Sequence, residues 1–222
     1  MNKLYTAYKL ARSTFFPDRC PYCSRVINFG KLGCDNCLSQ FPETYNQNYA
    51  IGGYPCVSPF FYQDIFATAV KRFKFSDFTA SSEKLAAVLC DCVEKLYDTK
   101  EIDLITFVPM HKRKFNKRGY NQSELLAKDA SRILNIPCKK LLLKVKKNKE
   151  QHKCASASQR RDNVKGVYKA VDIETINGKT ILIIDDIITT GYTLGECAKT
   201  LEKYKPSKIL CATVCAKNNI YT

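Results

Sequence analysis

The sequence predicts an α/β domain with a mainly parallel sheet, preceded by a small cysteine-rich module. Three observations carry this. Residues 181–184, Ile-Leu-Ile-Ile, are a continuous apolar run of the kind that is buried on both faces as a central strand. A helical pattern follows, with Leu194, Cys197, Ala198 and Leu201 on one stripe, and then a second apolar run from Ile209 to Cys215. Strand, helix and strand in that order imply a right-handed crossover and parallel pairing. Near the start, four cysteines stand in two pairs, each pair separated by two residues.

The remaining elements are read in chain order. Residues 17–42 are rich in Cys, Pro and Gly and lack periodicity, so they form a compact module and no layer of helix or sheet. Ile65, Phe66, Ala69, Val70 and Phe73 recur at helical spacing in 63–75, as do Leu85, Val88, Leu89, Cys92, Val93 and Leu96 in 81–97. Leu104 to Val108 reads as a buried strand that stops at Pro109, and a basic, glycine-containing loop is expected after it. Asn121 caps the next helix, with Glu124 three residues on, and Pro137 lies beyond its end. Residues 139–165 are a long basic stretch expected to be a loop or lid. Thr193 with Glu196 is expected to form a capping box at the start of the following helix.

With 222 residues the chain has room for one α/β domain and a small extra module. The boundaries expected are 17–42 for the module and 60–222 for the domain. The net charge is +15, and residues 111–165 hold 17 of the 36 cations against 4 of the 21 anions. So concentrated a charge points to a surface that receives polyanions, whether a small phosphate ligand or nucleic acid. No apolar run reaches the roughly 18 residues of a membrane helix. Met1 to Phe16 is weakly amphipathic without a cleavage site, so a cytoplasmic protein is expected. That excludes a secreted disulfide scaffold, and the cysteines outside the two pairs read as small buried hydrophobes.

Two motifs carry chemistry. Cys20-Pro-Tyr-Cys23 and Cys34-Asp-Asn-Cys37 offer four thiolates, the donor set of a closed, structural Zn²⁺ site with no open position for catalysis. The second motif runs from Asp185 and Asp186, at the C-terminal end of a strand, through Thr189, Thr190, Gly191, Tyr192 and Thr193 into a helix. Ligands bind at that end of open α/β sheets. A helix N-terminus presents unpaired N–H groups to a phosphate monoester, and the threonines add hydroxyl donors. Gly191 lets the backbone come close and adopt positive φ. The two carboxylates suit vicinal ribose hydroxyls and hydrated Mg²⁺.

This second segment resembles the 5-phosphoribosyl 1-pyrophosphate (PRPP) motif of type I phosphoribosyltransferases. The resemblance implies a five-stranded, mainly parallel sheet flanked by helices. It also implies that Asp185 and Asp186 hold the ribose hydroxyls while Thr189 to Thr193 cradle the 5-phosphate. Together with the four-cysteine ribbon, the chain resembles the ComF family of competence-associated phosphoribosyltransferase-like proteins. Two further blocks agree: Val108-Pro-Met-His111 through Arg118-Gly119-Tyr120-Asn121-Gln122, and Gln151 followed by Arg160-Arg161-Asp-Asn163-Val-Lys-Gly166-Val-Tyr168. In this fold the loop after the first strand meets the pyrophosphate, which Arg113 and Arg118 suit as guanidinium forks. The family is linked to import of single-stranded DNA during natural transformation.

Three functions fit these expectations. The first is phosphoribosyl transfer from PRPP, with Mg²⁺ and the basic loops neutralising the leaving pyrophosphate. The second is a binding module in which the pocket holds PRPP or a nucleotide end and the basic stretch tracks single-stranded DNA. Phe115, Tyr120 and Tyr168 would then be candidates for base stacking. The third is an adaptor whose ribbon docks a partner such as a DNA translocase.

Overall fold

The computed structural model describes residues 17–75, 79–146 and 166–217. The block from Gln151 to Asn163, most of the basic stretch 139–165 and the amphipathic start lie outside the described residues. In chain order the elements are a short helix α1 (Asp35–Leu38), strands β1 (Asn46–Ala50), β2 (Tyr54–Ser58) and β3 (Phe60–Phe61), and helices α2 (Asp64–Phe75) and α3 (Ser82–Leu96). Then come β4 (Leu104–Phe107), α4 (Lys112–Arg118), α5 (Gln122–Leu134), β5 (Leu142–Lys144), β6 (Tyr168–Ala170), β7 (Thr180–Ile188), α6 (Tyr192–Glu202) and β8 (Lys208–Ala216).

The sheet is mixed and mostly parallel, in the order β1-β2-β8-β7-β4, with β3 also on β8. β2 and β3 lie in succession along one edge of β8, with Cys56 opposite Cys211 and Phe60 opposite Cys215. Pro59 interrupts this edge, so six strands fill the five positions expected. The odd partner is β1, which pairs antiparallel with β2 through a Gly52-Gly53 turn. This hairpin precedes residue 60, the expected start of the domain, and joins its sheet.

Two apolar clusters sandwich the sheet. Leu182 and Ile184 of β7 pack with α2, α3 and α5, whereas Ile181 and Ile183 pack with α6, β5 and β6. That alternation is the period-two pattern of a strand buried on both faces. The cysteine module joins the first cluster, since Cys20, Tyr22, Ile27 and Cys37 belong to it. Tyr22 presents edges to Phe41, Phe60 and Phe66, with centroids 5.3, 6.0 and 5.8 Å away. Arg72 of α2 donates to the Tyr22 carbonyl at 3.1 Å.

The expected helices and the strands at 104, 181 and 209 are found within a few residues. Three local expectations are corrected. Leu142–Lys144, inside the stretch read as a loop or lid, form β5 against β6. The basic segment after β4 is the helix α4 and not a loop. His111 Nδ1 accepts from the Arg113 N–H at 3.2 Å to start it, and Gly119, at φ +81°, stops it. The capping box at Thr193 is absent. α6 starts two residues earlier with Gly191 as its N-cap, and Glu196 accepts from the Gly166 N–H at 2.7 Å instead. Among the described residues no helix is long and apolar enough to cross a membrane.

Candidate functional site

β7 carries the two carboxylates. It extends to Ile188, so Asp185 and Asp186 sit inside its last turn of ladder, with Asp185 opposite Thr213 of β8. Thr189 and Thr190 form the turn, Gly191 is the N-cap, and Tyr192 and Thr193 open α6. Thr189, Gly191, Tyr192 and Thr193 line a small cup at this point. The seven residues expected from this segment are thereby brought to one sheet end.

Gly191 is required twice over. Its φ is +70°, and a Cβ there would lie 2.9 Å from Ala50 Cα. One helical turn on, a Cβ at Gly195 would lie 2.2 Å from the Ile51 carbonyl oxygen. The Ile51 N–H donates to the Gly191 carbonyl at 3.3 Å. The β1–β2 hairpin therefore rests with its backbone directly on the first turn of α6.

The carboxylates are held by helices on the sheet's other flank. Ser123 Oγ donates to Asp185 Oδ1 at 2.6 Å, and the Asp186 N–H donates to the same oxygen at 2.9 Å. Gln122 Nε2 donates to Asp186 Oδ2 at 3.2 Å, and Lys74 Nζ lies 2.9 Å from Asp186 Oδ1. Both α5 donors sit in its first turn, which Asn121 caps by accepting from the Ser123 N–H at 3.3 Å. Burial, reinforced by the Asp186 charge, pushes Asp185 up to about 7. Gln122 Oε1 is buried with no partner among the described residues. Gln122, Ser123 and Lys74 carry no role in the sequence reading. Gln122 was visible only as part of a motif, and Lys74 only as one cation among several on a helix.

Arg113 and Arg118 lie on α4. Phe107 pairs with Ile184, so the chain leaving β4 emerges at the sheet end that holds Asp185. Arg113 is exposed and Arg118 half-buried. Two of the three candidate stacking aromatics are committed elsewhere. Tyr120 donates its hydroxyl to the Phe73 carbonyl at 2.7 Å, and Tyr168 is buried beneath Lys144, whose Nζ is 5.5 Å from the ring centre. Phe115 is exposed. A wider depression at the far end of α6, lined by Ile173, Glu174 and Tyr204, contains none of the loop or carboxylate residues.

The four cysteine sulfurs all lie within 4.8 Å of one another, and Cys23 Sγ is 3.5 Å from Cys34 Sγ. Tetrahedral Zn²⁺ with bonds of about 2.3 Å separates its sulfurs by about 3.8 Å, so the donors fit that ion.

Residues 121–221 match the phosphoribosyl transferase domain family. Competence protein F of Haemophilus influenzae is 31% identical over 188 residues, which is 83% of this chain and 78% of that protein. The DNA utilization protein YhgH of Escherichia coli K12 is 27% identical over 184 residues, 82% of this chain and 77% of that protein. A crystal structure of adenine phosphoribosyltransferase superposes with a TM-score of 0.44 at 14% identity, covering 82% of this chain and 89% of that one.

Proposed function

Because the chain belongs to the competence protein F family, we propose that it binds PRPP at the β7–α6 loop and acts in DNA uptake. The observation that carries this reading is the carboxylate pair at the end of a parallel strand, running directly into a glycine-capped helix start. Asp185 and Asp186 accept the ribose hydroxyls, and the backbone from Thr189 to Thr193 with its hydroxyls receives the 5-phosphate. Arg113 and Arg118, at the same sheet end, face the pyrophosphate. The carboxylates offer oxygen donors of the kind Mg²⁺ takes, and the ion enters as the ligand's counter-charge.

The chemistry such a site supports is transfer of the phosphoribosyl group. Pyrophosphate departs with the C1–O bonding pair, and positive charge builds at the ribose C1. The lone pair of a second, acceptor substrate forms the new bond there. Positioning with charge neutralisation lowers the barrier. No protein nucleophile is needed. The cysteine cluster holds Zn²⁺ as a structural brace, because four sulfur ligands leave the ion no open position.

The exposed, basic α4 with Phe115 at its centre favours a second reading for that surface alone, a track for single-stranded DNA. Its signature is affinity that falls steeply with salt. The family's link to DNA import supports action on the cytoplasmic side, where a DNA translocase is a candidate partner for the ribbon.

Calorimetric titration with PRPP and Mg²⁺ tests the main reading. Saturable binding is expected in the wild type, with loss of at least about a hundredfold in an Asp185→Asn/Asp186→Asn variant. A well-folded wild type that binds no PRPP would sink it.

A further inference from the structure

The C-terminal end of α2 carries three cations, Lys71 and, in the last turn, Arg72 and Lys74. Cations at a helix C-terminus ordinarily complement its dipole and point to water. Here they diverge. Lys71 is exposed and Arg72 reaches the Tyr22 carbonyl. Lys74 turns inward to Asp186, and in that ion pair the side chains are only 23% and 7% exposed.

Fold stability alone does not account for so desolvated a pair. Removing both charges from water offsets most of their attraction, and an apolar replacement of equal volume serves a core as well. The pair stands instead where two carboxylates would meet a ligand that is itself a polyanion. Gln122 Nε2 holds the second oxygen of Asp186 from the α5 side. Its amide orientation is fixed, since reversing it would set Oε1 against the carboxylate. Among the described residues Gln122 Oε1 is left as a buried acceptor without a donor, in a residue only 4% exposed beside the pair.

We propose that Lys74 is a positioning residue of the ligand site, clasping Asp186 from the α2 side so that the acidic pair meets a sugar phosphate with less negative charge and a fixed aim. This assignment rests on the PRPP reading of the site.

The electrostatics agree. Burial works to lower the Lys74 amine, but the charge and hydrogen bond of Asp186 outweigh it and the amine is raised. Asp185 retains its proton toward neutral pH. Of the other titratable groups around the pair, the thiols of Cys56, Cys197, Cys211 and Cys215 and the Tyr168 phenol are pushed up by burial and stay neutral. Among the described residues Lys144, which burial lowers, also senses Asp185.

The test uses full-length, zinc-loaded protein as wild type, Lys74→Met and Lys74→Arg. Carboxylate titration followed by ¹³C NMR requires no ligand. Lys74→Met is expected to move the Asp185 midpoint up by about one pH unit or more, and Lys74→Arg to return it. Calorimetry with PRPP and Mg²⁺ at pH 8 is expected to show about tenfold weaker binding for Lys74→Met and near-wild-type binding for Lys74→Arg. An unmoved titration overturns the proposal. So does a moved titration with unchanged PRPP affinity, because the lysine then serves only the fold. A wild type that fails to bind PRPP overturns the ligand reading on which the role depends. Equal binding by wild type and Lys74→Met overturns the role of Lys74 and leaves that reading standing.

Discussion

The cysteine cluster and the carboxylate loop are both short polar segments bent by glycine, yet they are finished in opposite ways. In the cluster the four donors converge on one another, and the residues beside them, Tyr22 above all, belong to the apolar core. In the loop the carboxylates are gripped from behind by Lys74, Gln122 and Ser123, while a buried acceptor stays unused and the backbone opens a cup. A site whose donors satisfy one another around an ion holds a fold together. The Tyr22 hydroxyl beside the cluster also lacks a partner among the described residues, so the difference lies in convergence. The thiols face one another, whereas the carboxylates are held by side chains from two helices beside a small cup.

Breaking the closed site should have the larger effect on stability. Cys20→Ser, or removal of zinc by a chelator, should lower the melting temperature by about 10 °C or more, read by calorimetry. The loss should extend to the whole domain, because Cys20 and Cys37 share a cluster with α2, α3 and the sheet. A ribbon that melts alone while the rest keeps its transition would show the two regions to be energetically separate.

Breaking the open site through its backbone should come next. Gly195→Ala drives a methyl group into the Ile51 carbonyl and must displace either the hairpin or the first turn of α6. A cost of about 2–3 kcal/mol is expected in denaturant unfolding. PRPP affinity should fall along with it. Loss of stability with intact affinity would detach the hairpin from the phosphate loop.

The smallest effect sharpens the comparison through pH. Asp185 is raised in the folded protein, so the stability it contributes is fully present below its unfolded value near 3.8 and is lost as pH rises toward about 7. Asp185→Asn removes that loss. The variant should melt about 2–4 °C above wild type at pH 8, with the difference shrinking toward pH 4. An equal difference at both pH values would mean that the carboxyl does not titrate in this range.

Much of this was legible in the sequence, for reasons that differ by region. The paired cysteines are close in sequence, and β7 announces itself by an apolar run, so local pattern sufficed. The partners of the carboxylates did not show, because Lys74 meets Asp186 across more than a hundred residues and only the fold brings them together. The helix α4 was missed because it has no apolar stripe and is defined by its His111 cap and Gly119 stop. The misplaced start of α6 has a different cause. Thr193 and Glu196 match the capping-box pattern, but left-handed Gly191 began the helix first, and Glu196 was taken by a backbone N–H across the chain. β1, Asn-Gln-Asn-Tyr-Ala, is too polar to show alternation. It is held by β2 and by the glycines beneath its turn.

The place of β8 in the sheet bears on how the protein is made. β8 lies between β2 and β7 and joins the early hairpin to the late strands, yet it follows every other strand of the sheet along the chain. On a ribosome adding about 5–20 residues per second, the β1–β2 hairpin waits about 8–30 seconds for its neighbour. During that interval the edge of β2 that will receive β8 is uncovered, and the aromatic cluster under the cysteines lacks its floor. Early capture of zinc would give the nascent chain one fixed point while the rest of the sheet is still being synthesised.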